Sequence, residues 1–311
     1  MTGKISTEVD ILSIGELLVD LISSDFGDDF SMVQDFKRVF GGSPANLAMN
    51  MARLGNRVEL AATVGEDPLG TYLIREVELL GVSTQRIRQC ADPTTAILVT
   101  RSTATADFIP YRGADQQILP SQLPGGEESW PKIFHTTCFA LSKDPARTTI
   151  LKGAERVAEA GGQLSLDANY ARKIWPNRAE ALEVVEQYCR LNALIKVSDV
   201  DYLRMFHHRM ESPQAAAEYF LNSGAKVVCV TEGAKGLWVA DQNGGVYVPG
   251  RKVAVKDTTG AGDAFWSGFL TAWLDGKGLE ACGKAGRAMA ELKIGHFGPL
   301  PAKVNRDLIY E

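Results

Sequence analysis

Several features that would settle a chain's class at once are scarce or missing in these 311 residues. The five cysteines (Cys90, Cys138, Cys189, Cys229, Cys282) are odd in number and form no Cys-x-x-Cys pair. They suggest neither a disulfide framework nor a zinc ribbon, and a reducing compartment is expected. The 4 histidines gather with no cysteine or glutamate cluster. The adjacent His207 and His208 read as solvated surface and His135 as a strand-end residue, so a dedicated metal site is not expected. No apolar run reaches the roughly 18 residues of a membrane span, and the polar start MTGKISTEVD carries no targeting pattern. A cytoplasmic protein is expected. Basic and acidic residues nearly balance, 33 against 38, with no long run of either sign, which argues against a nucleic-acid or anionic-membrane partner. Two nucleotide fingerprints are absent as well. Gly-x-x-x-x-Gly-Lys-Ser/Thr occurs nowhere, and G-x-G-x-x-G begins at Gly260 and Gly262 but meets Phe265 where its third glycine belongs. The P-loop is excluded and a dinucleotide dehydrogenase disfavoured.

What is present is an α/β rhythm in a chain that is 45% hydrophobic, enough for a sizeable core. DILSI (10–14) reads as a buried strand, ANLAMNMARL (45–54) as a helix stopped by Gly55, LAATVG (60–65) as a strand, and the segment from Gly70 to Leu80 as a helix. TAILVTR and DFIPYR, joined by STATA, read as a hairpin inserted into the larger fold. Alternation then resumes through strands KIFHTTC, QLSLDAN, ALIKVS and KVVCVT, with helices at ARTTILKGAERVAEA and at SPQAAAEYFLNSG. A hairpin LWVA/VYVP and two helices, starting near Gly262 and Leu279, complete the reading. The expectation is one α/β domain over 1–311: a doubly wound, mostly parallel sheet with a small β-sheet beside it.

The stretch DTTGAGDAFWSGFL (257–270) sets glycines at the mouth of an apolar helix. Glycines there let backbone approach a ligand, and the first N–H groups of the helix favour an anion. A carboxylate, Asp263, stands where a phosphate binder would prefer lysine. It can be read as a favourable first-turn residue. It can also be read as a base facing an acceptor hydroxyl while the amides of Gly260, Ala261 and Gly262 hold a transferring phosphoryl group.

This segment resembles the signature of the ribokinase (PfkB) sugar-kinase family, and GGSPANLAMNMARLG (41–55) resembles that family's second signature, some two hundred residues earlier. The resemblance spans nearly the whole chain and is fructokinase-like. It implies a ribokinase-like fold with a β lid over the sugar, formed by segments near 16–40 and 94–112. It implies Asp263 as catalytic base with Gly260, Ala261 and Gly262 as anion hole, and sugar contacts from Asp20, Gly41, Gly42 and Asn46. Tyr111 and Arg112 match a lid pair, and LDANYARKIWPN (166–177) brings Asn169 and Arg172. Arg172 reads equally well as a surface partner of Asp167. Lys196, Ser198, Thr231, Gly233 and Gly236 fall on nucleotide-side segments, with Asp201 organising magnesium through water. The implied cofactors are ATP and Mg2+, with a monovalent cation such as K+ near Asp257, and the implied assembly is a homodimer through the lid. Ser43-Pro44, where ribokinases carry lysine and glycine, tilts the expected substrate away from ribose and toward fructose-type or sugar-acid substrates; a fructose-type sugar is expected, with 2-keto-3-deoxygluconate and 5-dehydro-2-deoxygluconate as the alternatives. A module that binds sugar or nucleotide without catalysis is the reading from another class, and it gives Asp263 no task.

Overall fold

The computed structural model describes residues 4–311 apart from 6–7, 28, 102–106, 126–127, 297 and 299. In chain order, β1 (Ile11–Ile14), β2 (Leu18–Phe26) and β3 (Phe36–Gly41) precede α1 (Ser43–Arg53), β4 (Val58–Gly65), α2 (Pro68–Leu79) and β5 (Ile87–Cys90). Then come β6 (Ala96–Arg101), β7 (Phe108–Tyr111), β8 (Ile133–Thr137), α3 (Ala146–Glu159), β9 (Gln163–Asp167), α4 (Arg178–Cys189), β10 (Leu194–Ser198), α5 (Asp199–Phe206), α6 (Pro213–Asn222) and β11 (Val227–Thr231). The β12–β13 hairpin (Gly236–Asp241, Gly244–Pro249), α7 (Ala261–Leu274) and α8 (Leu279–Ile294) follow.

These strands form two sheets. The large one runs β13-β12-β11-β10-β9-β8-β1-β4-β5, parallel from β11 to β5, with the last hairpin added antiparallel at one edge. The small one runs β3-β2-β6-β7. The segment 102–106 that joins β6 to β7 lies outside the described residues.

Pleating explains why the central strands are apolar without interruption. Along β10, Leu194 enters the core under α1, α7 and α8, and Ile195 enters the core under α3, α4 and α6; in β11, Val227 and Cys229 face the first core, Val228 and Val230 the second. A sheet covered on both faces needs apolar residues at every position. On one of those faces α7 and α8 cross closely. A Cβ at Gly268 would lie 2.5 Å from the Ala285 carbonyl oxygen, and one at Gly286 would lie 2.9 Å from that of Phe265. Among the described residues no helix is long and apolar enough to cross a membrane.

The doubly wound class and the small sheet agree with the sequence reading; one local reading needs correction and two helices add to it. His135 is no strand-end residue: it lies inside β8, fully buried, with Nδ1 2.9 Å from Ser165 Oγ, and burial depresses its pKa to about 3. Helix α4 is an addition: Ala181, Val184, Val185 and Tyr188 are buried at helical spacing, and Asn177 caps it by accepting from the Glu180 amide. Helix α5 is another, and it ends at His207 in left-handed geometry; His207 and His208 are exposed, as expected of solvated surface.

Candidate active site

In the parallel sheet, β4 and β5 lie on one side of β1 and β8 to β11 on the other, so the strand order reverses at β1. The crevice at the carboxyl ends of such strands is where open α/β sheets take ligands. Gly15 and Glu16 follow β1 there, Thr137 ends β8, Asp167 ends β9 and Ser198 ends β10.

Asp263 sits in the first turn of α7. Ser43 Oγ donates to its Oδ1 at 2.6 Å, and Asn46 Nδ2 donates to its Oδ2 at 2.9 Å. The two signature segments, 217 and 220 residues apart, thus meet on one carboxylate. Burial pushes this carboxyl up to about 6, with the nearby Asp167 charge adding to the shift, while the Ser43 and Asn46 hydrogen bonds and Lys196 oppose it. Asp20, inside β2 rather than in a turn, is pushed up to about 7 by burial and by the charge of Asp263.

The glycine pair 41–42 has a more specific task than lying against a ligand. A Cβ at Gly41 would lie 2.2 Å from Asp20 Oδ2, so only glycine leaves room for that carboxylate. Gly42 has φ +101, and a Cβ there would lie 2.2 Å from the Glu16 carbonyl oxygen. Both positions make space for the chain's own groups.

At the expected anion hole, Gly260 is left-handed at φ 72 and caps α7 without a side chain. The Ala261 amide donates to the Thr258 carbonyl at 3.2 Å. Among the described residues the amides of Gly260, Gly262 and Asp263 have no hydrogen-bond acceptor, so these three, rather than 260 to 262, are available to an anion. Beneath them Lys196 Nζ lies 2.9 Å from both oxygens of Asp167, and a Cβ at Gly262 would lie only 3.2 Å from that ammonium. Burial works against the Lys196 charge, but Asp167 and Asp201 hold its pKa above the ordinary lysine value. A cation fixed under unpaired amides is the electrostatic setting for a phosphoryl group.

The remaining expected residues divide. Arg112 donates through Nε at 2.9 Å and Nη2 at 2.5 Å to Asp115, and through Nη1 to Ser142 Oγ, with its plane 4.4 Å over the Phe139 ring. Asn169 is close by and accepts from the Phe139 amide. Tyr111 is 59% exposed, and Arg172 is exposed with no ion pair among the described residues; Asp167, its alternative partner, belongs to Lys196. Ser198 and Asp201 form a reciprocal cap at the start of α5, which occupies the Asp201 carboxylate. Thr231 pairs in register with Ser198 at the end of β11. Gly233 and Gly236 follow it, both at positive φ, where a Cβ at Gly236 would lie 2.3 Å from the Val248 carbonyl oxygen.

Two groups at this edge were not singled out from sequence. Ser43 was noted only as a departure from the ribokinase pattern, and Glu16 not at all. Glu16 is 2% exposed, accepts from the Ser43 amide at 3.2 Å and from Thr137 Oγ1 at 3.0 Å, and is pushed up to about 8 by burial. The sole sequence signal for it was a carboxylate directly after the first strand and its glycine.

Comparison with known proteins agrees with this fold. The profile described as pfkB family carbohydrate kinase matches residues 9–304. An ATP-dependent 6-phosphofructokinase of Thermoanaerobacterium thermosaccharolyticum is 33% identical over 94% of this chain and 89% of its own length. An uncharacterised sugar kinase of Pyrococcus horikoshii, solved in complex with ATP, superposes with a TM-score of 0.82 at 29% identity, covering 96% of each chain. Halothermothrix orenii fructokinase superposes with a TM-score of 0.75 at 32% identity, covering 92% of this chain and 98% of its own.

Proposed function

We propose that this chain, which belongs to the pfkB family of carbohydrate kinases, transfers the γ-phosphate of ATP to a hydroxyl of a neutral, fructose-type sugar. The observation that carries the proposal is the meeting of unpaired amides at Gly260, Gly262 and Asp263 with the Asp263 carboxylate, itself held by Ser43 and Asn46 beside Asp20. In the transfer the sugar oxygen bonds to the γ-phosphorus, the bond to the β-phosphate oxygen breaks to release ADP, and the hydroxyl proton passes to Asp263. The carboxylate orients the attacking hydroxyl and accepts its proton late, while the amides and Lys196 stabilise charge on the phosphoryl oxygens.

Among the described residues no group of three or more His, Cys, Asp or Glu side chains could hold a metal ion. The donor set therefore suits magnesium that arrives on nucleotide phosphates and keeps most of its waters. Asp201, engaged by Ser198, would meet it through water. The four-stranded sheet is assigned as the lid, with β2 contributing Asp20 and the segment after β7 contributing Arg112.

The cations at this edge support a neutral sugar. Arg112 and Lys196 are each already paired with a carboxylate, Asp115 and Asp167. An anionic substrate would find neither of them free. Arg172 favours a second reading. It is exposed with no ion pair among the described residues, and the next residue, Lys173, bonds to the Phe108 carbonyl of β7, so it lies near the lid edge. From there it would receive the carboxylate of 2-keto-3-deoxygluconate or 5-dehydro-2-deoxygluconate, or the phosphate of fructose 6-phosphate. A coupled ADP-release assay over fructose, fructose 6-phosphate and the two sugar acids separates the readings. The neutral-sugar proposal expects fructose to have the highest kcat/KM; turnover of an anionic sugar with none of fructose rejects it.

A further inference from the structure

We infer that Glu16 is a positioning residue for phosphoryl transfer, acting from the β1–β2 connection as the missing cap of helix α1. Helix α1 begins at Ser43 behind Gly42, an N-cap without a side chain to accept from the first amides. Uncapped amides at a helix start are costly when buried. Glu16 Oε1 supplies the acceptor, taking the Ser43 amide at 3.2 Å, and its Oε2 is fixed by Thr137 Oγ1 at 3.0 Å. The carboxyl end of β8 thereby holds the first turn of α1. From that turn Ser43 Oγ and Asn46 Nδ2 reach the two oxygens of Asp263. With both oxygens bonded and 2% exposure, Glu16 does not touch the sugar. It acts through Ser43, and a base misplaced by about 1 Å can cost up to a hundredfold in rate.

This inference rests on Asp263 being the base, and its test distinguishes the two. Glu16→Gln keeps the acceptor oxygen at full reach; Glu16→Asp keeps the carboxyl group but falls one methylene short. The expected result is kcat within about threefold of wild type for the Gln variant and about tenfold to a hundredfold lower for the Asp variant, with KM for ATP unchanged in both. In a Ser43→Ala background the same Glu16→Asp change should cost clearly less than in the wild type, because only the Asn46 arm of the turn then still reaches Asp263. The acid limb of kcat should also move up in Glu16→Asp, since the Ser43 hydrogen bond is among the interactions that lower the Asp263 pKa. The charged groups facing Asp263 are Asp167, Lys196 and Asp20, and those facing Glu16 are Asp115 and Arg112; both variants leave all of them in place. Wild-type kcat and an unmoved limb in Glu16→Asp would overturn the inference, as would a Gln variant as impaired as the Asp variant. Should Glu16→Asp fail to fold, Thr137→Val in the folded protein tests the same chain, with a moderate kcat loss expected and none overturning it. A wild-type Asp263→Asn turnover would instead remove the base itself.

Discussion

Asp263 combines two demands on one side chain. Burial lifts its carboxyl to about 6, which brings proton acceptance close to working pH, and the hydrogen bonds from Ser43 and Asn46 keep the shift from going further. A base must be ionised, so kcat should be flat well above pH 6 and fall about tenfold per pH unit well below it. A rate profile whose acid limb lies near the ordinary aspartate value would show that the carboxylate is solvated in the working enzyme. Lys196 and Asp167 are coupled more tightly. Replacing Lys196 with methionine would leave Asp167 buried without its partner, a change expected to cost about 3–5 kcal/mol of stability, and chemical denaturation of the variant measures it. At this scale the sequence was legible where partners are close in the chain, as in the Gly260–Asp263 segment. It was not legible for Glu16 or the Lys196–Asp167 pair, because 27 residues separate Glu16 from Ser43 and 29 separate Lys196 from Asp167. Only the strand order brings them to one edge.

Helices α7 and α8 set where the unpaired amides of Gly260, Gly262 and Asp263, the proposed anion hole, lie relative to the sheet. Their crossing depends on Gly268, which faces the Ala285 backbone and not a side chain that could move aside. Gly268→Val should therefore destabilise the protein by several kcal/mol, of the order seen for overpacked cores or more. Thermal unfolding checks this, and an unchanged Tm would mean that the helices separate freely. Gly260 poses a different problem, since its left-handed φ of 72 would strain any other residue and tilt the amides after it. Periodicity found the elements with strong alternation or clear stops. It does not reach α4, whose buried positions Ala181, Val184, Val185 and Tyr188 follow the WPN segment, or α5, which is only 8 residues long and starts from the reciprocal Ser198–Asp201 cap.

Across the whole molecule, the two sheets differ in how firmly they are held. Strands β8 and β9 are buried almost throughout, whereas β3 and β7 are half-buried or exposed along most of their length. If the smaller sheet is the proposed lid, it is the part that ligands would order, and closing it would keep water from competing with the sugar for the phosphoryl group. Hydrogen exchange should slow in β2, β3, β6 and β7 when sugar and a non-hydrolysable ATP analogue are added together, and stay unchanged in β8 to β10. Equal protection with and without ligands would mean that this sheet does not act as a lid. The nearly balanced surface charge, −5 overall, fits a protein whose recognition is concentrated in one crevice rather than spread over a charged face.

The most direct test is the turnover of Asp263→Asn measured beside calorimetric binding of nucleotide and sugar. The account predicts kcat lower by about a hundredfold to ten-thousandfold with both ligands still bound. An asparagine variant that phosphorylates its sugar at the wild-type rate would contradict it.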